Sequence, residues 1–258
     1  MVAGLHAEVA EGVGTVVIDR PEKRNAMSAD MWRSLPGLLD DLAANRAVRV
    51  VVLTGAGGNF SAGADISELS DIHRDDDSHL SSVAERALAA FPKPTLAAIE
   101  GYCVGGGCQL AAACDLRFAA ADARFGITPA KLGLVYPAGA TTRLVRLVGP
   151  SAAKYLLYSA DLVGAGHALR IGLLDEVVPG DGLRKRVAEF AETLASRSLL
   201  TQQATKGIVD AITAGGPVEE ETRRWLDEMA ACGEHVEGIA AFLERRAPDF
   251  PWTGTPRP

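Results

Sequence analysis

Short runs of apolar and β-branched residues alternate with longer amphipathic stretches along the first half of the chain. Four of the runs indicate buried strands, because such residues suit a sheet that is covered on both faces. These runs are residues 13–20, 49–54, 95–100 and 115–119. Two stretches with helical spacing lie between them, at 28–45, where Ser28 can cap the N-terminus, and at 80–90. This alternation predicts an α/β fold.

The pattern changes to mainly helical periodicity from about residue 139, with one further predicted strand at 174–178. The predicted helices are residues 151–158, 166–171, 183–195, 201–214, 218–231 and 236–246. We therefore divide the chain into an α/β core, residues 1–195, and a helical C-terminal region, residues 196–258.

Composition narrows the class of function. The chain has 258 residues, 48% of them hydrophobic, and a formal net charge of −7, so we expect no nucleic-acid partner. The first residues lack a basic region followed by an apolar run, and the longest uncharged apolar stretch, 101–114, is too short to cross a bilayer. We expect a cytoplasmic protein without a membrane segment. The four cysteines form no C-x-x-C pair and have no histidine at ligand spacing, so we expect no metal site.

Two glycine-rich loops follow predicted strands, at 55–65 and at 101–107. Small residues leave the backbone uncovered there, so that amide groups can approach a ligand. The second loop opens a helix, whose free N-terminal donors favour an anion. The sequence thus indicates backbone donors for an anionic oxygen, although close packing of helix on strand is an alternative use of the same residues.

Other motifs built on glycine fit these loops poorly. A dinucleotide fingerprint lacks its third glycine, because Phe60 and Leu110 stand at the required positions, and the Gly-Lys-Ser/Thr of a phosphate loop is absent. A serine nucleophile elbow needs glycine where Asn59 stands.

Several segments together resemble the enoyl-CoA hydratase/isomerase (crotonase) family, in the family's order and over essentially the whole chain. They include 20–26 (RPEKRNA), 60–66 (FSAGADI), 105–110 (GGGCQL), 138–144 (AGATTRL), 172–178 (GLLDEVV) and 237–246 (EGIAAFLERR). The resemblance implies the ClpP/crotonase fold, a spiral of ββα units with a helical C-terminal region for trimerisation, often paired into hexamers. It also implies an acyl-CoA substrate, with coenzyme A as part of the substrate and no other cofactor.

The resemblance implies roles for individual residues. The backbone amides of Ala64 and Gly106 would hold the thioester oxygen. Residues that would contact the coenzyme A and acyl parts of the substrate are Ala62, Asp65, Ile66, Gly105 and Pro129. Lys23 or Arg24 would meet the phosphates, although a solvated turn after Pro21 explains these two basic residues equally well.

Three positions depart from the family pattern. Hydratases of the family carry glutamates where this chain has Gln109 and Pro129, and isomerases carry one where it has Pro137. The amide of Gln109 cannot take up a proton at neutral pH, but it can orient water as part of the catalytic site. Proline has no acid–base chemistry. We therefore expect a lyase of this family, which overall similarity would name an enoyl-CoA hydratase. We also expect its hydration of crotonyl-CoA to be weak.

The segment 128–136 (TPAKLGLVY) is similar to one in methylmalonyl-CoA decarboxylases of the same superfamily. The resemblance implies that Tyr136 orients the departing carboxylate or donates the final proton. Those enzymes carry a histidine where this chain has Ala64, and a loop aromatic packed on Leu134 is the alternative for Tyr136. A protein that binds acyl-CoA without chemistry is a third hypothesis.

Four further side chains are weaker candidates for proton transfer. Glu68 follows the first glycine loop, and Glu100 ends the strand before the second loop. His73 and His79 lie in a polar segment that borders the acyl pocket by analogy with the family. A surface position is the simpler interpretation of both histidines.

Overall fold

The computed structural model describes residues 2–72 and 79–254, and its strands are short. The strands are β1 (Leu5–Ala10), β2 (Val13–Ile18), β3 (Val50–Gly55), β4 (Thr95–Ile99), β5 (Tyr102–Val104), β6 (Leu116–Ala120), β7 (Arg124–Gly126), β8 (Val163–Gly164) and β9 (Glu176–Val178). His73, one of the weaker candidates, lies outside the described residues.

Helices cover the sheets and form the C-terminal region. They are α1 (Ala29–Ala44), α2 (Leu69–Ile72), α3 (Leu80–Ala89), α4 (Gly106–Ala113), α5 (Ala138–Ser159), α6 (Ala165–Arg170), α7 (Leu183–Ala195), α8 (Leu199–Ala214), α9 (Glu219–Cys232) and α10 (Glu234–Glu244). Short 3₁₀ turns occur at Pro21–Lys23, Ile66–Glu68 and Pro129–Lys131.

The strands form two sheets. The larger has the order β1-β2-β3-β4-β6-β9, and all its neighbours are parallel except the antiparallel pair β1 and β2. The smaller has the order β5-β7-β8. The chain passes from β4 of the large sheet to β5 of the small sheet and then into α4, and β6 and β7 repeat this step. These are the ββα units of the predicted spiral.

Strand β3 shows why a continuous run of β-branched residues predicts a buried strand. Val51 and Leu53 pack into the core that includes Trp32 of α1. Val50 and Val52 point to the opposite face, where Leu183 and Val187 of α7 cover the sheet. Both faces are therefore buried, and every position of the strand is apolar or small for that reason.

Helix α1 places an aromatic side chain for the site below. Ser28 caps it as predicted, accepting a hydrogen bond from the amide of Met31 at 3.3 Å. Pro36 is the eighth residue of the helix and does not end it. Trp32 and Leu35 are fully buried on its inner face.

The structure also contains elements that the pattern did not predict. Strands β1, β5, β7 and β8 are absent from the predicted set, and three of the four have only two or three residues. The predicted helix at 151–158 is the second half of α5. That helix bends at Gly149, whose φ of 75° interrupts the helical backbone just before Pro150.

The C-terminal helices leave large apolar side chains exposed. Val236, Ile239 and Phe242 of α10 lie on its surface, and Phe242 is 83% exposed. Among the described helices, none combines the length and the apolar character that crossing a membrane requires.

Candidate active site

The two glycine loops meet at one cavity of about 90 Å³. The first loop follows β3 and is fixed on both sides by parallel bridges, Met27 with Ala64 and Ser61 with Cys103. Buried Asn25 reinforces it, because its side-chain amide donates to the carbonyl oxygens of Ala56 and Asn59 at 2.8 and 2.6 Å. The second loop, residues 101–107, follows β4 and opens α4 as predicted, but it also contains the short strand β5, which the sequence did not predict.

The amides of Ala64 and Gly106 lie side by side at this cavity. A Cβ placed on Gly106 would lie 3.4 Å from the amide nitrogen of Ala64 and 2.8 Å from Cζ2 of Trp32. A Cβ on Gly63, whose φ is +99°, would lie 3.0 Å from the amide nitrogen of Gly106. Both glycines are therefore required by the close approach of the loops.

Neither amide donates to a protein acceptor within the described part of the chain. In the bridge to Met27, the hydrogen bonds run from Met27 N to the oxygen of Gly63 and from Asp65 N to the oxygen of Met27, at 2.7 and 2.8 Å. The amide of Ala64 lies between these two groups in the chain and takes part in neither hydrogen bond. Gly106 is the first residue of α4, where the amide has no partner within the helix. Both donors are available to a ligand.

The rest of the cavity wall is mostly apolar. Its apolar members include Trp32, Leu69, Leu132, Leu134 and Val135, together with Pro129 and Pro137. Among the described residues that line the cavity, none carries a carboxylate or an imidazole. The polar side chains there belong to Ser81, Gln109, Thr128 and Tyr136.

Gln109 is buried and is held by a charged residue that the sequence reasoning missed. Its Nε2 donates to Oε2 of Glu85 at 3.1 Å. The other oxygen of Glu85 accepts from Nε of Arg143 at 2.9 Å. Glu85 is only 2% exposed. The sequence feature that could have identified Glu85 is its position four residues after Ser81, which places it on the buried face of α3 together with Ala84 and Leu88.

Tyr136 lies in the cavity wall, and it is half-buried. Burial raises the pKa of its phenol well above the ordinary value, with further contributions from the thiol of Cys108 and the carboxylate of Glu85. The phenol is therefore protonated at neutral pH. Its oxygen has no hydrogen-bond partner among the described residues, so it is free to donate to a ligand.

The predicted substrate-binding residues fall into two groups. Ala62, Ile66, Gly105 and Pro129 line the cavity, and Ile66 is 66% exposed at its mouth. Lys23, Arg24 and Asp65 do not line it.

These three residues form contacts beside the first loop. Asp65 Oδ2 accepts from Nζ of Lys23 at 2.9 Å and from the Arg20 guanidinium at 3.2 Å. The hydrogen bonds from Lys23 and then Ser67 hold the pKa of the Asp65 carboxyl well below its usual range. The guanidinium of Arg24 lies 5.0 Å from the ring centre of Tyr102.

Of the weaker candidates for proton transfer, the three that the structure describes do not line the cavity. Glu68 accepts from the amide of Ala29 at 2.9 Å, and Glu100 pairs with Arg184 at 3.2 Å. His79 precedes α3 and is absent from the cavity wall. In residues 2–72 and 79–254, no three acidic, histidine or cysteine side chains are grouped as a metal site would require.

The fold and this cavity define an α/β protein of the ClpP/crotonase class. A family model described as Enoyl-CoA hydratase/isomerase matches residues 8–253. The chain therefore belongs to the enoyl-CoA hydratase/isomerase family, as the sequence segments predicted.

Relatives cover nearly the whole chain. A crotonyl-CoA hydratase of Syntrophomonas wolfei is 34% identical over 94% of this chain and 96% of its own length. A 2,3-dehydroadipyl-CoA hydratase of Escherichia coli is 34% identical over 91% of this chain and 93% of its own. The crystal structure of an enoyl-CoA hydratase/carnitine racemase from Magnetospirillum magneticum, 30% identical, superposes with a TM-score of 0.91 and covers 97% of this chain and 96% of its own.

Proposed function

We propose that the protein is a lyase that processes acyl-CoA thioesters through an enolate, whose oxygen is held by the amides of Ala64 and Gly106. The observation that carries the proposal is the pair of amides at one mostly apolar cavity, neither of which has an acceptor in residues 2–72 and 79–254. Prearranged donors in a dry site stabilise negative charge as it develops on the thioester oxygen. Membership of the family supports the choice of an acyl-CoA.

The cavity wall argues against efficient hydration. Addition of water to an enoyl-CoA needs a base for the water and an acid for the α-carbon. Gln109 can orient water but cannot accept its proton, and Pro129 offers nothing. Crotonyl-CoA hydration is expected to be slow although relatives carry the name hydratase.

Decarboxylation is the second candidate, and Tyr136 favours it. Loss of CO₂ from a malonyl- or methylmalonyl-type thioester leaves the electron pair of the broken carbon–carbon bond in the enolate, so no base is required. A proton must then reach the α-carbon. Tyr136 is protonated, and its hydroxyl has no partner among the residues that the structure describes, which supports a role in orienting the carboxylate or supplying that proton.

A panel of crotonyl-CoA, methylmalonyl-CoA and butyryl-CoA in D₂O, followed by mass spectrometry, tests both candidates. We expect deuterium at the α-carbon of at least one recovered thioester or product. Crotonyl-CoA turnover at the rate of a two-glutamate hydratase would contradict the expected weak hydration. Binding of every thioester with neither exchange nor product would make the protein an acyl-CoA-binding protein without chemistry.

The variant Tyr136→Phe separates the two candidates, because it removes only the hydroxyl. Release of CO₂ from methylmalonyl-CoA should fall in this variant if the hydroxyl takes part. Unchanged release would exclude a role for that hydroxyl in decarboxylation.

The coenzyme A part would lie at the mouth of the cavity. Ala62, Ile66 and Gly105 would contact the pantetheine arm there. Asp65 holds Lys23 beside the first loop, and Arg24 is its neighbour in the chain. Both cations would therefore lie near the phosphates of coenzyme A, where that part of the substrate extends out of the cavity. No further cofactor is proposed.

Self-association as a trimer or hexamer is the proposed assembly. The exposed apolar side chains of α10 support it, because Val236, Ile239 and Phe242 follow one another at intervals of three residues and each is at least 60% exposed. Sedimentation of the wild-type chain and of Phe242→Glu would test it. The cytoplasm remains the predicted location, which cell fractionation would test.

A further inference from the structure

Glu85 is a buried carboxylate at the junction of three helices. It projects from α3, receives Gln109 of α4 on one oxygen and Arg143 of α5 on the other, and is 2% exposed. A buried ion pair of this kind contributes little net stability compared with apolar residues of the same volume. Its contact with a residue of the cavity wall suggests a use beyond stability.

The chemistry of the contact determines which way the Gln109 amide faces. An ionised carboxylate only accepts hydrogen bonds, so the NH₂ end of the amide must point to Glu85. The carbonyl end then points away from Glu85. Gln109 lines the cavity, and its Oε1 has no partner among the described residues. The carbonyl oxygen is therefore the end of the amide left for a ligand.

We propose that Glu85 is a positioning residue, which fixes the Gln109 amide so that its carbonyl oxygen meets the acyl chain. The group that the bound acyl chain presents there must then donate a hydrogen bond, as a hydroxyl does and a ketone cannot. This inference rests on the proposed binding of acyl-CoA in the cavity.

The substitution Glu85→Gln should reverse the amide without changing its surroundings. Arg143 can only donate, so the introduced side chain must turn its carbonyl oxygen to Arg143 and its NH₂ to Gln109. Gln109 must then accept, which turns its own NH₂ toward the cavity. One isosteric change behind the wall would thus replace an acceptor by a donor at the wall.

Two ligands that differ at one atom report this reversal. We would measure the dissociation constants of 3-hydroxybutyryl-CoA and 3-oxobutyryl-CoA by calorimetry, with the full-length chain. The wild type should prefer the hydroxyl compound by about tenfold, the value of one net hydrogen bond. In Glu85→Gln, binding of 3-oxobutyryl-CoA should become about tenfold tighter, and the preference should vanish or invert.

A purely structural role for Glu85 predicts instead that Glu85→Gln leaves the ratio of the two dissociation constants at the wild-type value. Arg143→Lys keeps a cation beside Glu85 and leaves the contact with Gln109, so it should retain the wild-type preference. If Glu85→Gln binds both ligands with the wild-type ratio, the inference is wrong. Tighter binding of the ketone cannot come from a loss of stability, which melting temperatures would report separately.

A second variant keeps the test decisive if Glu85→Gln does not fold. Gln109→Leu removes both ends of the amide, and the wild-type preference for the hydroxyl compound should then disappear. A preserved preference would contradict the inference. If the wild type binds neither thioester, the proposed function fails as well, whereas equal binding of both by the wild type overturns this inference alone.

Discussion

The part of the cavity wall that carries the amides of Ala64 and Gly106 is made of backbone, whereas Gln109 and Tyr136 contribute side chains to the same wall. The backbone wall depends on glycines that no other residue can replace without a clash, as the 2.8 Å approach of a Gly106 Cβ to Trp32 shows. The side-chain wall can change by single substitutions. A site that always binds a thioester, but whose reaction on the acyl group can vary, would require this combination of a fixed backbone wall and a changeable side-chain wall.

The two walls also differ in their charges. The backbone wall presents partial charges that do not change with pH. The side-chain wall depends on the buried pair of Glu85 and Arg143 behind Gln109, and on a phenol with a raised pKa. Substitutions should therefore affect the backbone wall through geometry and the side-chain wall through hydrogen-bond polarity.

Removal of a backbone donor is expected to have the largest effect. Ala64→Pro deletes the amide hydrogen, and no protein hydrogen bond among the described residues is lost with it. Loss of one such donor lowers rates by about 10²–10³-fold. Turnover of the best thioester of the panel measures the effect. Ala64→Gly retains the donor and is the matched control; equal rates for the proline and glycine variants would show that the amide is not used.

Removal of Glu85 should mainly lower stability. Glu85→Ala leaves Arg143 and Gln109 without their acceptor, which should lower the free energy of unfolding by about 3 kcal/mol in urea titrations. Glu100→Ala is the control, since its partner Arg184 is largely exposed and the loss should be below about 1 kcal/mol. Similar losses for both variants would mean that burial of Glu85 is unimportant.

Neutralising Asp65 should have a smaller effect that depends on pH. Its lowered pKa means that the ionised form stabilises the fold above the ordinary carboxyl pKa, and that this contribution falls as pH drops below about 4. Asp65→Asn should cost about 1–2 kcal/mol at pH 7, partly because the Lys23 ammonium is half exposed. Urea titrations should show the difference shrinking at pH 3; a constant difference would assign it to packing.

The smallest expected effect on stability is that of Tyr136→Phe. The phenol oxygen has no protein partner among the described residues, so the free energy of unfolding should change by less than about 0.5 kcal/mol. A larger loss would place the hydroxyl in a structural contact and weaken its assignment to the ligand.

Much of the large sheet and the backbone wall could be predicted because their signals are local. Strand β3 is a continuous apolar run, Ser28 caps α1, and Gly63 and Gly106 lie in the glycine-rich loops that come after predicted strands. The family segments coincide with these same features. Such elements depend on neighbours in sequence, which the residue pattern records.

The small sheet and the side-chain wall were harder to predict. Strands β5, β7 and β8 are too short to carry a periodicity, and they form only because distant segments pair. The role of Glu85 cannot be predicted from the residue pattern of α3 alone, because its hydrogen-bond partners come from α4 and α5. Lys93 is similar: it is buried and donates to the carbonyl oxygens of Leu42 and Asn45, far away in sequence.

Infrared spectroscopy of a bound thioester labelled with ¹³C at its carbonyl tests most directly whether the amides of Ala64 and Gly106 hold that oxygen. Two hydrogen bonds polarise the carbonyl, so its stretching frequency should be lower in the wild-type complex than in water and should rise again in Ala64→Pro. The same frequency in both complexes, at or above the value in water, would contradict the central claim.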